Sequence, residues 1–186
     1  MERKKDTAKR VILVTGRPRT GKTTILLRAA NELIMKGYKL GGMVSREIIQ
    51  GGVRVGFQLV DFGSGERGWL ARVGGSSGPK IGKYKVNLTD LELIGAKAIM
   101  HAKEGADIVL VDEIGPMELL SEAFRLAVKD VIDGEKPVLG TIHHRAQHTL
   151  IQTIKLRGDT EIIEVTPINR TEIPRVIVDK INRFFA

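Results

Sequence analysis

The chain has 186 residues, of which 42% are hydrophobic, so it can bury one sizeable core, and its length argues against two independent domains. It carries 30 Lys and Arg against 22 Asp and Glu, a net charge of +8. Because it has no cysteine, the sequence excludes a disulfide scaffold, a thiol catalyst and a cysteine-ligated zinc site. It shows no signal-peptide pattern and no apolar run of membrane length, so we expect a cytoplasmic protein without a membrane partner.

Residues 1–10, MERKKDTAKR, hold five cations and two acids and are predicted to form a flexible basic tail, with residues 11–186 as a single domain. The rest of the chain is only mildly basic, which suits an anionic small molecule or a nucleic acid. Eight aromatic residues leave little for base stacking, so a nucleic-acid partner has no further support. The sequence does not indicate an oligomeric state.

Strand and helix patterns alternate along the chain. Short β-branched or continuously apolar runs predict strands at 11–15, 107–111, 137–142 and 161–165. Helical periodicity predicts helices at 23–36, 89–103, 121–132, 146–156 and 171–185, the second with Thr89 as N-cap and Glu92 completing a capping box. This alternation predicts an α/β fold with a doubly wound, mostly parallel sheet.

Residues 41–90 differ from the rest of the chain in composition, because 12 of the 21 glycines lie there. Two short strands are predicted in this region, at 53–62 and 69–73, separated by turn-forming residues. We therefore expect a Gly-rich β-hairpin insertion in the core fold.

A phosphate-binding loop follows the first predicted strand. Residues 16–23 match the pattern G-x-x-x-x-G-K-[ST] and open a predicted helix, which is the context that this motif requires. Glycines let the backbone wrap a phosphate, Lys22 reaches the β- and γ-phosphates, and the Thr23 hydroxyl is a ligand for Mg²⁺. The predicted nucleotide-binding residues of the loop are Gly16, Arg17, Pro18, Arg19, Thr20, Gly21, Lys22, Thr23 and Thr24.

Two acids end the apolar strand that begins near residue 107. Asp112 is expected to orient the water shell of Mg²⁺, so that it binds the metal through water. Glu113, one residue further, is expected to polarise the attacking water and is, with Lys22, a predicted catalytic residue. Glu118, in the same loop-to-helix segment, is the alternative base, and a water that needs no base is the other.

These motifs together resemble a known family, the THEP-type nucleoside-triphosphatases. The resemblance rests on GRPRTGKTT at 16–24, VDEIGPMEL at 111–119, GFQLVDF at 56–62, LARVG at 70–74, GKYKVNL at 82–88 and VTPINR at 165–170, and it covers nearly the whole chain from residue 11. It implies a RecA/AAA-like P-loop core and Mg²⁺-dependent hydrolysis of ATP, GTP, CTP and UTP to the diphosphate and phosphate, with weak base preference. The chain departs from the family pattern at Arg19, where a glycine is usual, and at His143 and His144.

The late loops carry further candidates with two interpretations each. His144 and His148 have the i, i+4 spacing of a zinc pair if they share a helix, but they lack a third ligand. A role as γ-phosphate sensor for the polar end of the strand at 137–142 is the stronger of the two interpretations. Arg145 is either an arginine finger in cis or a surface residue. By resemblance, Asn169 and Arg170 approach the base or ribose, whereas a cap at the start of the last helix explains them equally well.

The sequence thus predicts an Mg²⁺-dependent nucleoside-triphosphatase. A P-loop kinase is the first alternative, because it shares the loop and the region 41–90 offers room for a phosphate acceptor. The second is a nucleotide-dependent switch that binds RNA through the basic tail.

Overall fold

A computed structural model describes residues 9–75 and 77–186 of the chain. Its strands are β1 (Val11–Thr15), β2 (Leu40–Gln50), β3 (Val53–Asp61), β4 (Arg67–Arg72), β5 (Lys80–Ile81), β6 (Tyr84–Val86), β7 (Ile108–Ile114), β8 (Val138–Ile142) and β9 (Thr160–Glu164). Its α-helices are α1 (Lys22–Met35), α2 (Leu88–Asp90), α3 (Lys97–Gly105), α4 (Glu122–Asp133), α5 (Thr149–Leu156) and α6 (Ile173–Phe185). In this part of the chain the nine strands form one sheet, in the order β5-β6-β4-β3-β2-β7-β8-β1-β9.

Five neighbouring strands of the sheet, from β2 through β7, β8 and β1 to β9, pair in parallel. Alternate residues of β1 point to two separate cores, with Val11 and Leu13 in one and Ile12 and Val14 in the other. Helices α1 and α6 cover the second core, and α3, α4 and α5 cover the first. Because helices shield both faces, these strands read as continuous apolar runs, and the predicted doubly wound α/β fold is confirmed.

The Gly-rich region extends the same sheet with antiparallel strands. The sequence did not predict β2, whose first four residues pair in parallel with β7 and whose remainder pairs antiparallel with β3. The β2–β3 turn is Gly51-Gly52, with φ of 55° and 76°, the left-handed values that a tight two-residue hairpin requires. The β2–β3 hairpin therefore runs past the carboxyl end of β7 and stands above that edge of the sheet.

The helix that follows the Gly-rich region begins earlier than predicted. Asn87 is the N-cap instead of Thr89, and its side-chain oxygen accepts a 3.1 Å hydrogen bond from the Asp90 amide. From there α2, a π-helical segment (Leu91–Ala96) and α3 follow without a break. The capping box expected from Glu92 is thus wrong, because Asn87 already caps the first turn.

Two residues of the predicted basic tail, Lys9 and Arg10, have contacts in the structure. Arg10 is buried, and its guanidinium donates to the carbonyls of Val131, Ile132 and Lys136 and pairs with Asp159 at 2.9 Å. Lys9 donates to the Gly158 carbonyl. Both residues thus belong to the folded body, while residues 1–8 of the predicted tail lie outside the described residues. Of the helices described, not one has the length and hydropathy that crossing a bilayer requires.

Candidate active site

The phosphate-binding loop lies between β1 and α1, as the motif predicts. Gly21, with φ of 89°, precedes the first residue of α1, and among the described residues no side chain caps this helix. The amides of the first helical turn are therefore available to an anion, and the helix dipole favours negative charge at the same place. The chain thus supplies a backbone cradle for phosphate.

Arg19 adopts a left-handed backbone conformation, with φ of 65°. Glycine enters this region without steric cost, whereas a residue with a Cβ atom pays roughly 1–2 kcal/mol. The position at which the sequence departs from its family's usual glycine is therefore a strained one. The loop keeps its turn, since Thr20 donates through both its amide and its hydroxyl to the Arg17 carbonyl.

Lys22 folds back over the loop that precedes it. Its ammonium group lies 3.4 Å from the Gly16 carbonyl oxygen, a long contact that a phosphate oxygen can replace. Lys22 also counteracts the rise in the pKa of Glu113 that burial causes. The ammonium charge is thus held between the loop and the acid at the end of β7.

Asp112 lies behind the loop in a fully enclosed position. Its Oδ1 accepts a 2.6 Å hydrogen bond from the Thr141 hydroxyl on β8, whereas Oδ2 is buried without a hydrogen-bond partner in the described chain. Burial raises the pKa of Asp112 to about 6, against the Thr141 hydrogen bond and the nearby Thr23 hydroxyl, which lower it. An orphaned carboxylate oxygen beside a threonine hydroxyl suits a hard cation such as Mg²⁺, which needs only one or two protein ligands and keeps its waters.

Glu113 and Glu118 lie in different surroundings. Glu113 is partly exposed and lines the cavity in front of the loop, and burial raises its pKa. Glu118 is buried and does not line that cavity, and burial together with the charge of Glu113 raises its pKa to about 8. A carboxyl with that pKa is mostly protonated at neutral pH, which makes Glu118 a poor proton acceptor there.

A cavity of about 850 Å³ opens in front of the loop. It brings together most of the predicted site residues, namely Gly16, Arg17, Pro18, Arg19, Gly21, Lys22, Thr23 and Glu113, and it adds the 143–145 segment and the β2–β3 hairpin. Thr20, Thr24 and Asp112 do not line it. Its lining has more cations than carboxylates, Arg17, Arg19, Lys22, Arg54 and Arg145 against Glu47 and Glu113, and therefore matches a polyphosphate in charge.

The histidine segment is a loop, so the shared helix that a zinc pair of His144 and His148 would require is absent from it. Helix α5 begins only at Thr149, after His148, which caps it by accepting from the Leu150 amide at 3.1 Å. His144 and His148 therefore do not share a helix face, and no cluster of three metal-ligating side chains occurs in the described chain. His143 and His144 instead line the cavity, where burial and the charge of Lys22 lower the pKa of His143.

Asn169 and Arg170 do not line the cavity. The Asn169 side chain accepts from the Thr166 amide at 2.8 Å and donates to the Glu164 carbonyl at 2.9 Å. It closes the loop after β9, and the last helix begins four residues later at Ile173. The Asn169 side chain thus stabilises this loop and does not cap the last helix, whose N-cap is Glu172, while an approach of Asn169 and Arg170 to the base or ribose stays a prediction.

Four cavity residues were missed by the sequence analysis, Ser45, Glu47, Arg54 and Phe57, all on the β2–β3 hairpin. Their strands continue past the sheet edge, and that edge holds the ends of β1, β7 and β8. The Gly51-Gly52 pair between two apolar runs was the signal that would have found the hairpin. It would not have shown which of its residues face the loop.

Comparisons with known proteins identify the family of the chain. A family model described as NTPase matches residues 11–178. A nucleoside-triphosphatase THEP1 from Thermofilum pendens is 44% identical over 175 residues, which cover 94% of this chain and 96% of the relative.

Two solved structures have the same fold. The crystal structure of THEP1 from Aquifex aeolicus has a TM-score of 0.83 and 28% identity, over 93% of this chain and 99% of its own. The solution structure of a human cancer-related nucleoside triphosphatase has a TM-score of 0.80 and 33% identity, over 95% and 98%. With its P-loop, its paired acids and this coverage, the chain belongs to the THEP-type nucleoside-triphosphatase family.

Proposed function

We propose that this chain is an Mg²⁺-dependent nucleoside-triphosphatase, built on a single P-loop domain from residue 11 to 186, that cleaves NTP to NDP and phosphate. The observation that carries the proposal is the joint position of Lys22 and Glu113 on one cationic cavity, with Asp112 enclosed behind it. The relatives are nucleoside-triphosphatases by name, which favours hydrolysis over the kinase and the RNA-binding switch.

Binding begins at the loop. Backbone N–H groups of the loop, which Pro18 alone among residues 16–23 lacks, and the amino-terminal end of α1 hold the phosphate chain. Lys22 leaves the Gly16 carbonyl for the β- and γ-phosphate oxygens. These contacts depend on phosphate and not on the base.

Thr23 and Asp112 are the residues that would hold Mg²⁺, Asp112 through a water. Held there, the ion would supply positive charge to offset the negative charge of the phosphates. Thr141 holds the Asp112 carboxylate through Oδ1, which leaves Oδ2 as the oxygen without a partner among the described residues.

Glu113 orients the attacking water. Its carboxylate accepts a hydrogen bond from the water, whose oxygen forms a bond to the γ-phosphorus while the bond to the β-phosphate oxygen breaks. The water proton passes to a carboxylate oxygen of Glu113 or to the departing phosphate. Lys22 lies near Glu113 and counteracts the rise of its pKa that burial causes.

The lining of the cavity supports a weak base preference. The side chains that face the loop are mostly charged, and Phe57 is the one aromatic residue among the described lining residues. A strong base preference needs buried hydrogen-bond partners for the base edge. We therefore propose that ATP, GTP, CTP and UTP are all substrates, while the cytoplasmic location stays a prediction.

Phosphate release from the four nucleoside triphosphates, with and without Mg²⁺, tests the proposal. We expect turnover of all four with Mg²⁺, and a Glu113→Gln variant with kcat lowered about 10²- to 10⁴-fold at nearly unchanged triphosphate affinity. Asp112→Asn should also weaken Mg²⁺-dependent binding. A preference for one base above about 10⁴ would contradict weak discrimination.

Glu118→Gln separates the two possible bases. Because Glu118 is already mostly neutral at pH 7, the variant should keep the parent's turnover at that pH. If Glu118→Gln loses turnover while Glu113→Gln does not, the base is Glu118. If neither variant loses turnover, general-base catalysis is wrong for this enzyme.

A further inference from the structure

The β2–β3 hairpin contributes an arginine that the family motifs do not include. Arg54 lies on β3 and lines the same cavity as Lys22 and Glu113. Its Nε donates to the Tyr84 hydroxyl at 2.9 Å, and its Nη1 pairs with Glu47. The guanidinium also stacks 4.9 Å from the centre of the Phe57 ring. Arg54 is therefore held from three sides.

The other cavity arginines lack such contacts. Arg17, Arg19 and Arg145 are exposed, and their guanidinium groups form no hydrogen bonds within residues 9–75 and 77–186. An exposed arginine must lose rotamer freedom to reach a phosphate, whereas a guanidinium already held in place loses little. Arg54 is thus the preorganised guanidinium of this cavity.

The order of the strands places the hairpin beyond the γ-phosphate. The loop follows β1, Glu113 ends β7, and β2 lies on the far side of β7 from β1. A P-loop lysine contacts the β- and γ-phosphates, so the triphosphate extends from the loop toward Glu113. The hairpin wall then faces the terminal phosphoryl group.

One nitrogen of Arg54 is left for a ligand. Its hydrogen bonds to the described residues use Nε and Nη1, while Nη2 forms none. Glu47 balances the charge of Arg54 in the resting enzyme, so Arg54 adds little long-range attraction for the triphosphate. A donor of this kind acts mainly on an oxygen that comes within hydrogen-bond distance as the reaction proceeds.

We propose that Arg54 is a catalytic residue, an arginine finger in cis that donates from Nη2 to the γ-phosphoryl oxygens in the transition state. This inference rests on the proposed hydrolase function. Tyr84 and Glu47 are positioning residues that hold the guanidinium. Arg145, the arginine considered from the sequence, lies on the same cavity without fixed partners.

The test measures kcat, triphosphate affinity and the binding of ADP with aluminium fluoride, a mimic of the transferring phosphoryl group, for Arg54→Ala and Arg54→Lys. We expect Arg54→Ala to lower kcat about 10²- to 10³-fold, to change triphosphate affinity less than about threefold, and to lose the tight binding of ADP with aluminium fluoride. Arg54→Lys should recover only part of the lost kcat, since lysine keeps the positive charge but not the planar N–H donors of a guanidinium. Tyr84→Phe should lower kcat more mildly without a change in triphosphate affinity.

Arg72→Ala is the matched control. Arg72 stacks on Trp69 in the same antiparallel region, at 5.7 Å, but does not line the cavity, so its loss should leave kcat unchanged. The assignment is overturned if Arg54→Ala turns over and binds the analogue like the parent, or loses activity only as far as it loses folded protein. If the parent itself releases no phosphate, the hydrolase proposal fails, and the analogue-binding comparison still decides for or against Arg54.

Discussion

Thr141 on β8 donates a hydrogen bond of 2.6 Å to Oδ1 of Asp112 on β7, and both residues are enclosed. This bond leaves the second carboxylate oxygen as the one without a partner in the described chain. The neighbouring strand thus sets the orientation of the carboxylate that we assign to the metal.

Thr141→Val keeps the shape of the side chain and removes the hydroxyl donor. We expect unfolding free energy to fall by about 1–3 kcal/mol, because a buried carboxylate loses a partner, and Mg²⁺-dependent nucleotide binding to weaken. Calorimetric titration with and without EDTA and denaturant unfolding measure the two effects. Thr160→Val is the control: the Thr160 hydroxyl is buried without a partner in the described chain, so its loss should change stability by less than about 1 kcal/mol. Equal effects of the two variants would show that the Thr141 bond does not orient Asp112.

Lys22→Ala should weaken triphosphate binding more than diphosphate binding. The variant loses the ammonium group that reaches the β- and γ-phosphates, while the backbone amides of the loop remain. Fluorescence titration with labelled ATP and ADP measures both affinities. An unchanged affinity for triphosphate would refute the assignment of the loop.

Arg19→Gly should stabilise the folded protein, because glycine tolerates the left-handed backbone that Arg19 adopts. Relief of the strain outweighs the extra chain entropy of glycine, for a net gain of about 0.5–1 kcal/mol in unfolding free energy. Arg17→Gly is a matched control, since it removes a cavity cation two residues away without a positive φ to relieve, and it should lower stability instead. Thermal unfolding of both variants checks the opposite signs, and a loss of stability in both would contradict the strain.

Glu118 should make the folded protein less stable as pH rises. Its pKa is about 8 in the folded chain and about 4.3 in an unfolded one, so between these values the folded state holds a proton that the unfolded state releases. Unfolding is therefore favoured as pH rises, by up to about 1.4 kcal/mol per pH unit, until the slope vanishes above about pH 8. The protective contribution is complete below about pH 4.3.

Denaturant unfolding of the parent and Glu118→Gln across this pH range isolates the effect. The variant cannot titrate at that position, so the stability of the parent relative to the variant should fall steadily as pH rises. Parallel curves for the two proteins would mean that Glu118 ionises as freely when folded as when unfolded.

The sequence by itself determined the parallel core and the phosphate loop. The apolar runs that became β1, β7 and β8 are continuous because both of their faces are covered, and that pattern is visible without coordinates. The loop and the Asp112-Glu113 pair are local motifs, whose residue types and spacing follow from phosphate and metal chemistry. Their joint position at one edge follows from the parallel topology, since the carboxyl ends of parallel strands meet there.

The tertiary structure alone decided three things. It distinguished Glu113 from Glu118 as the candidate base, because the pKa of each carboxyl depends on its burial and on the charges nearby. It assigned the histidines to a loop, since capping by His148 competes with the helical periodicity that predicted an earlier start. It also brought Arg54 to the cavity in front of the phosphate loop, because hairpin register and sheet order are set by long-range strand pairing, which leaves no local pattern in the chain.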